Sequence, residues 1–349
     1  MNKFQNKRSV FDFYLLSVVF FALLSRMYTP PTTMVMSGAG ANAIMQVGCV
    51  VALDAYLRKT GISQTGIYGH FTRLRGVSAG ALVSALICIK LPLIQIMKVL
   101  ADGVTGMLDC PVDIMDSIER RGLSRMQSFR EMLQEHFKER NTFESLYLRT
   151  NLDLGVGVTN LLTRKFVMMT HRTHPDVSVV DAIMASISIP FLVEPVLVDG
   201  NLCADGGVVV NFPYPSHYWV KNDAHESFGI MVAGGPNNIE IEDLSNWALC
   251  VSLLTSVLSV PSEFSCKLVE NNNPENVVRL FSRFNGISLT ACMLESTQRT
   301  MTSLGMIFFW LKVGQISPKE VLRIFPILLD VLVATISMCY LLLGHKKEM

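Results

Sequence analysis

A serine between two glycines and an aspartate ahead of two more are the residues whose types and setting suit acyl chemistry. Gly76-Val77-Ser78-Ala79-Gly80 has the form G-x-S-x-G. Such a strand-to-helix turn is so tight that the residues two before and two after the serine lack side chains, and the hydroxyl is pushed out beside a helix N-terminus. Asp205-Gly206-Gly207 offers a carboxylate whose glycine neighbours leave room for close approach. Within hydrogen-bond reach of Ser78, it would take the hydroxyl proton during attack. Ser37-Gly38-Ala39-Gly40-Ala41-Asn42 follows a strand candidate and precedes a helix candidate, so consecutive backbone amides stand ready for an anion. In acyl transfer that anion is the tetrahedral oxyanion, and each donor is worth about 10²- to 10³-fold in rate. Taken singly, each stretch also reads as a plain turn. A nucleotide phosphate loop is disfavoured, because neither G-x-x-x-x-G-K-[ST] nor a full G-x-G-x-x-G is present, position 43 being Ala.

The elements that must carry these residues follow from hydrophobic periodicity. From about Thr32 to Gly235 short β-rich runs alternate with helical ones, an α/β pattern. Strands are expected at Thr33–Met36, Thr72–Arg75, Asp153–Thr159, Lys165–Thr170, Val196–Asp199 and Phe228–Val232, and helices over Ala41–Leu57 and Ala81–Ile89. Residues 93–150 read as a helical insertion, with Met126, Phe129, Met132, Leu133 and Phe137 on one face and Ser124-Arg125-Met126-Gln127 as a capping box. Beyond Gly235 the pattern is mostly helical. The expected organisation is a hydrophobic segment 1–31, a catalytic domain 32–235, a helical extension 236–322 and a hydrophobic tail 323–349.

Composition narrows the function. With 30 basic and 29 acidic residues the net charge is +1, without the basic excess of a nucleic-acid binder. Half the chain is hydrophobic and only 17% is charged, below the roughly 25% of ordinary soluble domains, which points to lipid contact. Phe13–Leu24 is an apolar run after Lys3, Lys7 and Arg8. Its twelve residues are too few for a helix to cross about 30 Å of hydrocarbon, so it reads as an interfacial anchor, a cleaved signal or a buried helix. Ile324–Gly344 is just long enough to span, interrupted by Asp330, and reads equally as a helix packed on the domain. The eight cysteines are scattered singly, without CxxC pairs or zinc-spaced histidines, as expected of core filler in a reducing compartment. His171 and His174 imitate a metal pair, but no carboxylate cluster joins them, and a polar loop is expected.

Jointly, the ordered stretches resemble the patatin-like phospholipase family, whose pattern is a glycine-rich oxyanion loop, a G-x-S-x-G elbow and a late D-G-G/A aspartate. Ala182-Ile183-Met184-Ala185-Ser186-Ile187-Ser188-Ile189-Pro190-Phe191 is similar to the family's A-x-x-A-S-x-x-I-P stretch, and Asn211-Phe212-Pro213 to its N-x-P ending. The resemblance spans roughly residues 32–235. It implies a central sheet flanked by helices and a Ser78–Asp205 dyad, with Gly76, Gly80, Gly206 and Gly207 shaping the turns. It further implies an oxyanion hole from the backbone of Gly38, Ala39 and Gly40, with Ala79 N–H as a further donor by analogy with other elbows. The implied activity is lipid acyl hydrolysis of the phospholipase A type, with no metal or cofactor. Its substrate is a phospholipid or other lipid ester at a membrane surface, and the catalytic domain is expected to face the cytosol. Two departures stand out: Asn42 occupies the place of the family's usual cation, and Ala43 that of its last glycine. The rival readings are a Ser–Asp–His hydrolase, with His217 best placed ahead of His225 and His345, and a membrane-bound scaffold that keeps the fold without the catalysis.

Overall fold

Aliphatic runs bounded by small or polar turns become the strands of one mixed sheet in the computed structural model. It describes residues 31–108, 122–138, 141–214, 226–234, 260–261, 263–265, 267 and 276–282. In chain order these are β1 (Thr33–Met36), α1 (Ala43–Lys59), α2 (Ile67–His70), β2 (Arg73–Val77), α3 (Ala79–Cys88), α4 (Leu93–Leu108), β3 (Gly122–Ser124), α5 (Gln127–Phe137), α6 (Phe143–Thr150), β4 (Asp153–Asn160), β5 (Lys165–Thr170), α7 (Val179–Ser186), β6 (Phe191–Val193), β7 (Val196–Val198), β8 (Asn201–Asp205), β9 (Ser227–Gly234) and β10 (Val277–Ser282). Strands β10, β9, β1, β2 and β4 lie side by side and parallel. β5 and β8 pair β4 antiparallel, and β7 completes a hairpin with β8. The α/β architecture expected from the alternation, a central sheet flanked by helices, is the one the chain adopts.

Both faces of the central strands are covered. β1 and β4 are buried along their whole lengths, as strands covered on both faces are. On one face α1 contributes Val47, Val50, Leu53 and Tyr56, and α3 is buried at every residue. Phe129, Leu133 and Phe137 of α5 enter the same core, with Met126 buried beside them and Met132 packed against it, on the face the spacing predicts. A smaller cluster of Val35, Phe212, Tyr214, Met231 and Val277 forms a second packed group. Among the described residues Gly40–Lys59 is the one helical stretch long and apolar enough to cross a membrane, and most of its apolar window is buried in the domain. It is the central core helix.

Some local expectations change. Ser124 does not cap α5: it lies buried in β3, which pairs β6 in a separate two-stranded sheet, and its Oγ accepts from Met126 N–H at 3.1 Å. The helix starts instead behind Met126, held at φ 48°, with no side-chain cap. A strand, β10, stands in the stretch read as mostly helical, beside β9. Cys49, Cys88 and Cys203 are buried free thiols. Burial pushes the Cys88 thiol up to about 12 and that of Cys49 higher, so both remain neutral core residues. His171 Nδ1 lies 3.1 Å from Asp153 Oδ1 and the ring stacks on Tyr147, whereas His174 Nδ1 meets Thr173 Oγ1. The two rings serve different partners. The apolar runs Phe13–Leu24 and Ile324–Gly344, with their anchor and tail expectations, lie outside the described residues.

Candidate active site

The site forms where two strands meet head-on. β5 takes one edge of β4 from Gly155 to Asn160. The other edge is shared: β2 pairs it up to Val77 opposite Gly157, and β8, running the opposite way, reaches Asp205 opposite Val158. The ends of β2 and β8 are therefore one residue step apart along β4, about 3.3 Å. Both chains leave the sheet there, β2 into the elbow and β8 into a 3-10 turn over Gly206–Val208. This register brings together a serine and an aspartate that are 127 positions apart in sequence.

Ser78 Oγ donates to Asp205 Oδ2 at 2.6 Å, and Gly207 N–H donates to Asp205 Oδ1 at 2.7 Å. Both carboxylate oxygens are thus engaged by short contacts. Ser78 and Asp205 are buried, at 7% and 5% exposure. Ser78 sits at φ 52° and ψ −130°, a conformation that a side-chain-bearing residue holds only under strain. As the N-cap of α3 it makes no side-chain cap, so its hydroxyl is left for Asp205. Its carbonyl accepts from Ala81 N–H (2.9 Å) and Leu82 N–H (3.2 Å), which starts the helix. Burial raises the Asp205 carboxyl to about 6, against the two hydrogen bonds that pull it down. Among the described residues no cation pairs with it, so nothing offsets the desolvation fully.

The elbow is close-packed by necessity. A Cβ on Gly80 would lie 2.4 Å from the Ser37 carbonyl oxygen and 2.8 Å from that of Met36, both backbone atoms at the end of β1. A Cβ on Gly76 would strike the Gly80 carbonyl at 2.4 Å. Gly80→Ala is therefore expected to lose about 2–4 kcal/mol of folding stability through backbone overlap, checked by a lower urea midpoint at unchanged slope. A midpoint equal to the parent's would show that α3 and β1 can separate freely.

The small-residue loop borders the serine, since a Cβ on Gly38 would stand 3.3 Å from Ser78 Cβ and 2.3 Å from Asn211 Oδ1. Its amides are not equivalent. Gly38 N–H donates to the Asn211 carbonyl at 2.9 Å, so that amide is committed within the fold, contrary to its expected part as an anion donor. Asn211 Nδ2 approaches Gly38 O at 3.4 Å from the other side, lacing the loop to the stretch after Asp205. Ala39 and Gly40 N–H have no hydrogen bond among the described residues, nor does Ala79 N–H in the first turn of α3. Gly40 adopts φ 51°, which turns the chain into a 3-10 turn leading to α1. Asn42, at the cation's place, is buried and closes that turn through Asn42 N–H to Ala39 O at 3.0 Å. With Asn42 there, this loop itself carries backbone amides and no cationic side chain.

Two residues not proposed from sequence for the site also touch it. Ser186 Oγ accepts from Ser78 N–H at 2.8 Å and donates to Gly157 O at 2.6 Å. Ser188 O accepts Asp205 N–H at 2.9 Å. Both belong to the A-x-x-A-S-x-x-I-P stretch, whose serine was the available signal. His217, His225 and His345 lie outside the described residues.

A sequence model of the patatin-like phospholipase family matches residues 34–216, more than half of the chain. An uncharacterized protein of Acanthamoeba polyphaga mimivirus is 21% identical over 254 residues, covering 68% of this chain and 80% of that protein. The crystal structure of VipD from Legionella pneumophila aligns with a TM-score of 0.43 at 14% identity, over 85% of this chain and 73% of VipD. The type III effector ExoU of Pseudomonas aeruginosa aligns with a TM-score of 0.42 at 13% identity, over 82% of this chain and 53% of ExoU.

Proposed function

Since the chain belongs to the patatin-like phospholipase family, we propose that it hydrolyses lipid esters with Ser78 as nucleophile and Asp205 as general base. The observation that carries this reading is the 2.6 Å contact from Ser78 Oγ to Asp205 Oδ2 in a strained elbow. In the forward step Oγ attacks the ester carbonyl while its proton passes to Oδ2. Charge develops on the carbonyl oxygen, which the amides of Ala39, Gly40 and Ala79 would hold, Gly38 being committed elsewhere. The proton then leaves with the alcohol, and water activated by Asp205 hydrolyses the acyl-enzyme. A metal is not needed for any of these steps.

The direct contact favours a dyad over a triad: with both carboxylate oxygens engaged, no imidazole stands between base and nucleophile. A catalytically silent scaffold gives no account of why Ser78 is held at φ 52° with its hydroxyl aimed at a desolvated carboxylate. The substrate class supported by the family and the oily composition is a phospholipid or related lipid ester presented at a membrane surface.

The test is fatty-acid release from mixed phospholipid vesicles across pH. Asp205 must be ionised to accept the proton, and its carboxyl is raised to about 6. The value of kcat/KM is therefore expected to climb about tenfold per pH unit below 6 and level off above it. Absence of release from any ester at any pH, together with no labelling by a fluorophosphonate, would overturn the hydrolase reading.

A further inference from the structure

The ladder between β2 and β4 ends at Val77 opposite Gly157, and a single hydroxyl continues it. Ser186 Oγ accepts from Ser78 N–H at 2.8 Å and donates its own O–H to Gly157 O at 2.6 Å. A serine hydroxyl has one donor and two acceptor positions, so with the proton fixed on Gly157 a lone pair is left to face Ser78. Ser186 is the last residue of α7, 108 positions from Ser78, and completely buried. Two residues on, Ser188 O takes Asp205 N–H at 2.9 Å. The Ser186–Ser188 strap thus grips the backbones of both Ser78 and Asp205, and at Ser78 it does so through a side chain.

We propose that Ser186 is a positioning residue for Ser78: its hydroxyl, inserted between the end of β2 and β4, fixes the amide plane of the strained elbow and so aims Oγ at Asp205. The inference rests on the reading of Ser78 as nucleophile. The hydroxyl also lets β2 peel away from β4 without leaving Ser78 N–H or Gly157 O unpaired in the interior. A residue lacking either the donor or the acceptor leaves the elbow amide free to rotate, and a displacement of about 1 Å in a reacting group lowers the rate about 10²-fold.

The test compares full-length parent with Ser186→Ala, Ser186→Cys and Ser186→Thr, with Ser78→Ala alongside. Fatty-acid release is measured well below each variant's unfolding temperature, together with the rate of fluorophosphonate labelling. Expected for Ser186→Ala is a loss of about 10- to 100-fold in kcat and in labelling rate, with KM within about twofold. Ser186→Thr, which keeps the hydroxyl, is expected to restore most of both. Ser186→Cys fills the site with a somewhat larger group that hydrogen-bonds weakly, and gives the same reading should the alanine variant fail to fold. A folded Ala or Cys variant with parental kcat and labelling rate would overturn the inference, leaving Ser186 a packing residue. If Ser78→Ala itself kept its turnover, the nucleophile assignment would fall instead, a result independent of the Ser186 series.

Discussion

Ser78→Ala is expected to release fatty acid from phospholipid vesicles at least about 10⁴-fold more slowly than the parent chain, the scale on which loss of a nucleophile acts in serine hydrolases. The size follows from geometry rather than from the motif alone. The hydroxyl is the group that the elbow presents to Asp205, with the loop at Gly38 bordering the Ser78 side chain. The same position separates function from fold. Ser78 is held at φ 52° and ψ −130°, a region that glycine enters without penalty and that costs other residues about 1–3 kcal/mol. Ser78→Gly is therefore expected to be as inactive as Ser78→Ala yet to melt above it, the two compared by calorimetry in one buffer. Residual turnover within tenfold of the parent in the alanine variant would exclude Ser78 as nucleophile. Equal melting points would mean that the elbow relaxes once the hydroxyl is gone.

The elbow and the aspartate were legible in the sequence because tight turns leave a residue-level trace. Glycine is forced at Gly76 and Gly80 by backbone contacts, and a motif is the record of such contacts. What joins them was less visible. β8 reads Asn-Leu-Cys-Ala-Asp, with no β-branched residue to mark a strand. Its signal lies one step earlier, in Asp199-Gly200, whose φ values of 47° and 72° make a two-residue hairpin turn of the type Asp-Gly favours. The commitment of the Gly38 amide depends on a carbonyl 173 positions away, which no local pattern encodes. Val277-Val278-Arg279-Leu280-Phe281 does carry a β-rich signal, but its parallel neighbour β9 is separated from it by a long connection, so pairing cannot be read from adjacency. Ser186 is hidden for another reason: inside an apolar helix a serine usually back-bonds to its own turn, and nothing in the helix distinguishes one that reaches across to the elbow.

Asp205→Asn is expected to lose about 10²- to 10⁴-fold in turnover and, at neutral pH, to become the more stable protein. Asparagine is nearly isosteric: its carbonyl can accept Gly207 N–H and its amide can donate to Ser78 Oγ, so the contacts at both ends are kept. The sign of the stability change follows from the raised carboxyl. Folding lifts Asp205 from 3.8 to about 6 because burial penalises the charged form. The folded chain therefore binds this proton more tightly than the unfolded one. That extra stability is fully present below pH 3.8, declines as pH rises, and is lost above 6, when Asp205 must be buried as an anion. Two pH units correspond to about 3 kcal/mol. Asparagine does not titrate, so the stability of the variant minus that of the parent is expected to grow by about 2 kcal/mol between pH 4 and pH 7.5, most of that total, read from paired urea titrations. A difference that stays flat across that range would mean that Asp205 is not desolvated in the folded chain, and the acid limb expected at 6 in the rate profile should then be missing as well. Flattening of the stability difference above about pH 6, where the turnover profile also levels off, would tie a single buried carboxyl to both the stability the fold gives up and the base the reaction requires.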